Sequence, residues 1–125
     1  NLATATVPQL AVAELMENGQ YERHLRRVRS DYAQAVTRMT KVILDNFPEG
    51  TKISQPQGGF VIWLELPGNI DSFDLAKHAL AAGISIAPGP IFSASQKYSS
   101  FVRLSCACEW NARVESALIR LAGLL

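Results

Sequence analysis

The chain has 125 residues, with 12 Lys plus Arg against 11 Asp plus Glu; a net charge of +1 gives no global pull toward nucleic acid or anionic membrane. A hydrophobic share of 48% and a charged share of 18% exclude disorder and fit one domain with a real core. No apolar run approaches the roughly 18 residues of a membrane span and no signal-peptide pattern is present, so a cytoplasmic location is expected.

In chain order, residues 1–18 read as a short helix with Thr6 as a cap, Pro8 in its first turn and Leu10, Ala13 and Leu15 apolar. The start at Asn1, without methionine, reads as a piece of a longer protein. Gly19 interrupts. From Gln20 to Phe47, Leu25, Val28, Tyr32, Ala35, Met39, Val42 or Ile43, and Phe47 recur at three- and four-residue steps, which predicts one long amphipathic helix. Pro48-Glu49-Gly50 stops it. Its first half holds Arg23, His24, Arg26, Arg27 and Arg29, an electrostatic patch without aromatic or Gly-rich interleaving. A solvated flank or a contact with another domain of the same longer chain fits that run better than DNA does.

Thr51 to Gln55 reads as a short strand and Pro56-Gln57-Gly58-Gly59 as a turn. Phe60, Ile62, Leu64 and Leu66 then alternate with Val61, Trp63 and Glu65, a strand apolar on both faces and so covered on both. Asp71 caps the next helix, with Asp74 as capping-box partner and Ile70 with Leu75 as a hydrophobic staple; Gly83 closes it after Ala82. Ile84 to Ala87 is a short strand, Pro88-Gly89-Pro90 a break, and Ser93 to Ser100 a polar loop. A last helix spans about Asn111 to Ala122, with Val114, Leu118 and Leu121 inward.

Between loop and last helix lies Phe101-Val102-Arg103-Leu104-Ser105-Cys106. Alternation puts Val102, Leu104, Cys106 and Cys108 on one apolar face, and Phe101, Arg103, Ser105 and Ala107 on the other. The guanidinium of Arg103 keeps its charge and offers five donors in a planar fork, so it needs a partner: solvent, a carboxylate of its own chain, or a ligand's carboxylate. Cys106 and Cys108 run side by side, poorly placed for a disulfide, and are expected to be buried thiols. The order of elements predicts an α/β (α+β) sandwich, a small mixed or antiparallel sheet with helices packed on one face.

No complete catalytic set is present. His24 and His78 fit surface histidines, and Glu65 fits a strand residue facing solvent or pairing with a lysine better than a general base. No P-loop, nucleophile elbow or metal-ligand spacing occurs.

Three stretches taken together resemble a known family: Gln55-Pro56-Gln57-Gly58-Gly59-Phe60-Val61-Ile62-Trp63-Leu64-Glu65-Leu66-Pro67, then Ala82-Gly83-Ile84-Ser85-Ile86-Ala87-Pro88-Gly89-Pro90-Ile91-Phe92, then Phe101-Val102-Arg103-Leu104-Ser105. Their order and spacing are similar to the C-terminal small domain of fold-type I, pyridoxal-phosphate-dependent aminotransferases (class I/II). The run from Gly19 to Arg29 and the phrase Gly83 to Pro90 are most similar to MocR-type regulators, GntR-family transcription factors that fuse a DNA-binding winged helix-turn-helix to an aminotransferase-like effector domain. Free-standing aminotransferases of the 2-aminoadipate type share much of the pattern.

The resemblance implies that residues 1–125 form a single small domain, with 1–18 a linker or short helix from the large domain. It also implies that Arg103 binds the α-carboxylate of an amino-acid or 2-oxo-acid ligand. Gly58, Gly59 and Phe92 are implied to line the site, and the whole protein to be a homodimer using pyridoxal 5'-phosphate. In the family the Schiff-base lysine, the pyridine-pairing aspartate, the stacking aromatic ring and the phosphate-holding residues belong to the large domain. Lys41, Lys52, Lys77 and Lys97 lack the surrounding motif, so this chain alone is expected neither to hold the cofactor tightly nor to catalyse. Regulator, transaminase, and a structural domain whose arginine pairs internally all stay open.

Overall fold

The computed structural model describes residues 5–68 and 70–125 and divides them into two compact units, one up to Asp31 and one from Tyr32 to Leu125. The first unit contains helix α1 (Thr6–Glu17) and the opening turns of α2 (Gln20–Asn46). Thr6 does not cap α1: it is the first helical residue, and Ala5 stands at the cap without a side-chain bond. Gly19, at φ +71, provides the left-handed link into α2.

The second unit holds the rest of α2, strands β1 (Lys52–Ile53) and β2 (Val61–Glu65), helix α3 (Ser72–Ala81), strand β3 (Ala87–Pro88) with a 3-10 turn (Gly89–Phe92), strand β4 (Phe101–Ser105) and helix α4 (Ala112–Ala122). The sheet order is β1-β2-β4-β3 and every neighbouring pair is antiparallel. One sheet face presents Ile62, Leu64, Val102 and Leu104 to a core completed by Ala35, Met39, Val42 and Ile43 of α2, Leu75 and Ala79 of α3, and Leu118 and Leu121 of α4. The predicted α+β sandwich is thus the observed one. Its period-2 and period-3.6 patterns meet in one apolar layer.

Local chemistry sets the element ends. Asp71 Oδ1 accepts from the backbone N–H of Phe73 and Asp74 at 2.7 and 3.2 Å, satisfying two donors that α3 itself leaves open. Asp74 does not complete a capping box; its carboxylate accepts from Lys77 Nζ at 2.8 Å, which holds its pKa below the ordinary carboxylate value. Asp71→Ala is expected to cost about 1 kcal/mol, read as a lower midpoint in urea unfolding with an unchanged slope.

The strand from Thr51 shrinks to two residues. Ser54 continues the pairing with Trp63, its N–H donating to the Trp63 carbonyl and its Oγ accepting from the Trp63 N–H, both at 2.9 Å, before Pro56 ends it. The strand expected at Ile84 to Ala87 shortens to the two residues of β3, beginning three residues later and ending one later, since Ile84 N–H is spent on the carbonyl of Ala79 in α3. Pro88 pairs with Val102 on the sheet edge, where a missing donor costs nothing. Phe60 precedes β2, is exposed, and tilts against the Tyr32 ring at 5.2 Å.

The two cysteines part company. Cys106 is buried, its Sγ donating to Met39 Sδ at 3.5 Å, but β4 ends at Ser105 and Cys108 is exposed. The expected pair of buried thiols is therefore one, because alternation does not outlast the strand. Burial, with a smaller push from Cys108, raises the Cys106 thiol from its ordinary value of 9.0 to about 11. At pH 8 one thiol is expected to react with a maleimide in the native protein and two after denaturation, counted by mass. The unfolded chain releases the Cys106 proton first. Stability conferred by burying the neutral thiol is thus full below pH 9.0 and lost as pH rises through about 11.

Candidate functional site

Arg103 sits at the middle of β4, opposite Trp63 on β2 and Ala87 on β3, so the sheet holds its backbone from both sides. Its neighbours Val102 and Leu104 point into the core, which sends the arginine outward. The guanidinium lies over the ring of Phe92, 4.1 Å from Cζ to the ring centroid. That geometry is a cation–π contact, of order 0.5–1 kcal/mol at an exposed site, and it leaves the N–H edges of the fork free. Among the described residues, the ion pairs are Arg27–Asp31, Lys41–Asp45, Lys52–Glu65 and Lys77–Asp74; none involves Arg103.

Beside it lies a cleft of about 460 Å³ lined by Ser54, Trp63, Phe92, Tyr98 and Phe101. Its rings touch in sequence. Trp63 meets Phe92 edge-on at 5.3 Å and Tyr98 at 6.1 Å, while Tyr98 meets Phe101 at 5.4 Å and 80°. Phe92, expected to line a ligand site, is one of the residues that line this cleft and lies under the Arg103 guanidinium. Trp63, Tyr98, Phe101 and Ser54 were not nominated from sequence, although Trp63 and Phe101 share the outward parity of Arg103.

The loop that carries Tyr98 is held in an uncommon backbone. Gln96 and Tyr98 have φ of 50° and 68°, conformations that cost a non-glycine residue on the order of 1 kcal/mol or more. Short bonds hold it there: Phe101 N–H donates to the Tyr98 carbonyl at 2.9 Å, and the carbonyls of Ser99 and Ser100 accept from Ser72 and Leu66 at 2.8 Å. Gly89 is buried beneath this loop with no room for a side chain.

Gly58 and Gly59 lie on the exposed turn before β2. A Cβ at either meets nothing within 4 Å, and neither is among the residues lining the aromatic cleft. His24 and His78 are both exposed, and Glu65 pairs with Lys52 Nζ at 3.1 Å, as the plain reading of these residues anticipates. The basic run of α2 is exposed too, with Gln20, Arg23, His24 and Arg27 around an open hollow of about 300 Å³. Among the described residues no group of His, Cys, Asp and Glu could hold a metal ion, and no helix is long and apolar enough to cross a membrane.

No protein-family model matches the sequence. The uncharacterized HTH-type transcriptional regulator YdcR of Escherichia coli K12 is 36% identical over 124 residues, covering 99% of this chain and 26% of that protein. The 2-aminoadipate transaminase of Thermus thermophilus is 32% identical over 107 residues, covering 86% of this chain and 27% of the enzyme. The crystal structure of Pyrococcus horikoshii kynurenine aminotransferase, at 28% identity, matches with a TM-score of 0.80 over 88% of this chain and 27% of that one.

This is an aminotransferase-like domain. It resembles HTH-type regulators and aminotransferases alike, and it spans about a quarter of the length of the curated relatives it matches.

The aminotransferase relatives imply pyridoxal-phosphate dependence in the family, but the lysines of this aminotransferase-like domain do not fit the cofactor-bearing role. Lys41 and Lys77 are exposed, and hydrogen bonds to Asp45 and Asp74 raise their pKa, which favours the protonated and non-nucleophilic form. Lys52 is bound to both carboxylate oxygens of Glu65 at 3.1 Å, and Lys97 is exposed on the Ser93 to Ser100 loop. What the domain does offer is an exposed guanidinium beside an aromatic wall.

Proposed function

We propose that this domain supplies one wall of an amino-acid site in a longer protein, with Arg103 gripping the α-carboxylate of an amino acid or 2-oxo acid. The observation that carries the proposal is the guanidinium itself, fixed on an inner strand and stacked on Phe92, with no carboxylate partner among the described residues. A planar fork and a carboxylate make two parallel charge-assisted hydrogen bonds, which fix orientation as well as affinity. A strand positions such a fork better than a loop does. Phe92 aids by covering one face of the guanidinium, while Gly58 and Gly59, on the turn before β2, stand apart from the cleft lining.

We propose further that the parent is a regulator of the MocR/GntR type. In such a protein a cytoplasmic, homodimeric effector region would sense an amino compound with pyridoxal 5'-phosphate held by a large domain, residues 1–18 would link the two parts, and DNA would be contacted only by a separate N-terminal domain. The 36% identity to an HTH-type regulator supports this. A second reading, a free-standing transaminase acting on amino acids and 2-oxo acids, is favoured by the 32% identity to 2-aminoadipate transaminase. Reading the encoding gene upstream of Asn1 separates them. A winged-helix segment ahead of a large domain supports the regulator, and a start codon directly ahead of the large domain supports the enzyme.

A further inference from the structure

We infer that the cleft beside Arg103 is a side-chain subsite for an aromatic ring, so that the acid bound here is a ring-bearing 2-amino or 2-oxo monocarboxylate. This rests on the carboxylate role of Arg103 and adds to it the chemistry of the group attached. Four rings, those of Trp63, Phe92, Tyr98 and Phe101, line about 460 Å³, a volume in the range of small-molecule sites. Their contacts are edge-on or tilted, 74° for Trp63 with Phe92 and 80° for Tyr98 with Phe101, so neighbouring rings offer a face next to an edge. A further ring entering such a set finds the offset and edge-to-face partners that aromatic groups prefer. Phe92 and Tyr98 are 40% and 49% exposed, so the apolar surface is open rather than filled from within. Phe92 belongs to both parts: it carries the Arg103 guanidinium over its ring and meets Trp63 in a T-shaped contact.

This wall of the site favours a ring over the main competing class, a dicarboxylic acid. A dicarboxylic acid needs a second cation for its distal group, and none of Ser54, Trp63, Phe92, Tyr98 and Phe101 is charged. Lys52, the cation nearest in sequence to Ser54, is paired with Glu65. A distal carboxylate placed among the rings would lose water and gain no cationic partner from this lining. The polar side-chain groups in the lining are the Tyr98 hydroxyl, the Trp63 indole N–H and Ser54 Oγ, the last of which already accepts from the Trp63 backbone N–H.

The test is a protein-detected NMR titration of the full chain with phenylpyruvate, pyruvate and 2-oxoglutarate, repeated for Trp63→Leu, Tyr98→Ser and Arg103→Gln. Phenylpyruvate is expected to bind at least about tenfold more tightly than either other acid. Trp63→Leu and Tyr98→Ser, each checked for a native spectrum, should reduce phenylpyruvate to the pyruvate level and leave pyruvate unchanged. Equal binding of 2-oxoglutarate and phenylpyruvate overturns the inference. So does an aromatic preference that survives both ring substitutions, and if Arg103→Gln then still weakens every acid, the carboxylate reading stands alone. Loss of phenylpyruvate in the ring variants with no effect of Arg103→Gln has the opposite meaning: the ring subsite holds and the carboxylate role fails.

Discussion

Arg103→Ala is expected to weaken binding of an amino or 2-oxo monocarboxylate by about 1.5–3 kcal/mol, roughly tenfold to a hundredfold in Kd. The size follows from the kind of bond lost. Hydrogen bonds between two ions are worth more than neutral ones, and a bidentate pair loses both at once. Arg103→Lys should also bind worse than the native protein, because an ammonium is a point charge and cannot reproduce the parallel N–H pair. The guanidinium is exposed when unliganded, so neither substitution should unfold the domain, and the thermal midpoint should stay within a few degrees. Calorimetric titration with the unfolding curve measured alongside checks both statements. Unchanged affinity in Arg103→Ala would remove the site assignment.

Gly89→Ala carries the largest expected effect on stability. A Cβ there would run into the Tyr98 carbonyl oxygen and lie 2.9 Å from both Cβ and the carbonyl oxygen of Phe101. Two of those three atoms are backbone, so no flexible side chain can swing aside. Relief requires the loop to lift, which breaks the bond from Phe101 N–H to the Tyr98 carbonyl and disturbs the pairing of β3 with β4. Overpacking of this kind costs about 1–3 kcal/mol or more, a fall in Tm on the order of 10 °C for a domain of this size. Gly59→Ala is the control. Its Cβ would meet nothing within 4 Å, and only the φ of +79 opposes it, for a cost of about 1 kcal/mol. Thermal unfolding should rank Gly89→Ala well below Gly59→Ala. Because the displaced loop carries Tyr98, Gly89→Ala should also lower ligand affinity, whereas Gly59→Ala should not.

The parts of this domain that rest on local chemistry were legible in its sequence. Asp71 caps α3 through bonds to residues two and three positions away, and the alternation Val102, Arg103, Leu104 sets which way the arginine points without reference to any other element. Thr6 and Cys108 show how far such patterns reach. A cap-forming residue type one position too late becomes the first residue of the helix, and an alternation carried past the end of β4 places an exposed thiol in the core.

The aromatic cleft was not legible for a different reason. Trp63 and Phe92 meet only because the antiparallel register sets Trp63 beside Arg103 and Ala87 on its other side, just ahead of the turn that carries Phe92. Tyr98 enters the cleft from a left-handed backbone that no tyrosine adopts by preference and that the carbonyl packed on Gly89 helps to impose. Neither relation has a period to detect. The parity of Trp63, Phe101 and Arg103 was available as a signal, and it would have placed those three on one face.

The most direct test is the Arg103 Nε–Hε resonance, assigned by its loss in Arg103→Gln and followed while phenylpyruvate is added to the full chain. A saturable downfield shift of that proton, absent when the methyl ester replaces the acid, is the expected result, because only the free carboxylate can accept from the fork. Binding of the acid with the Arg103 resonance unmoved would contradict the account.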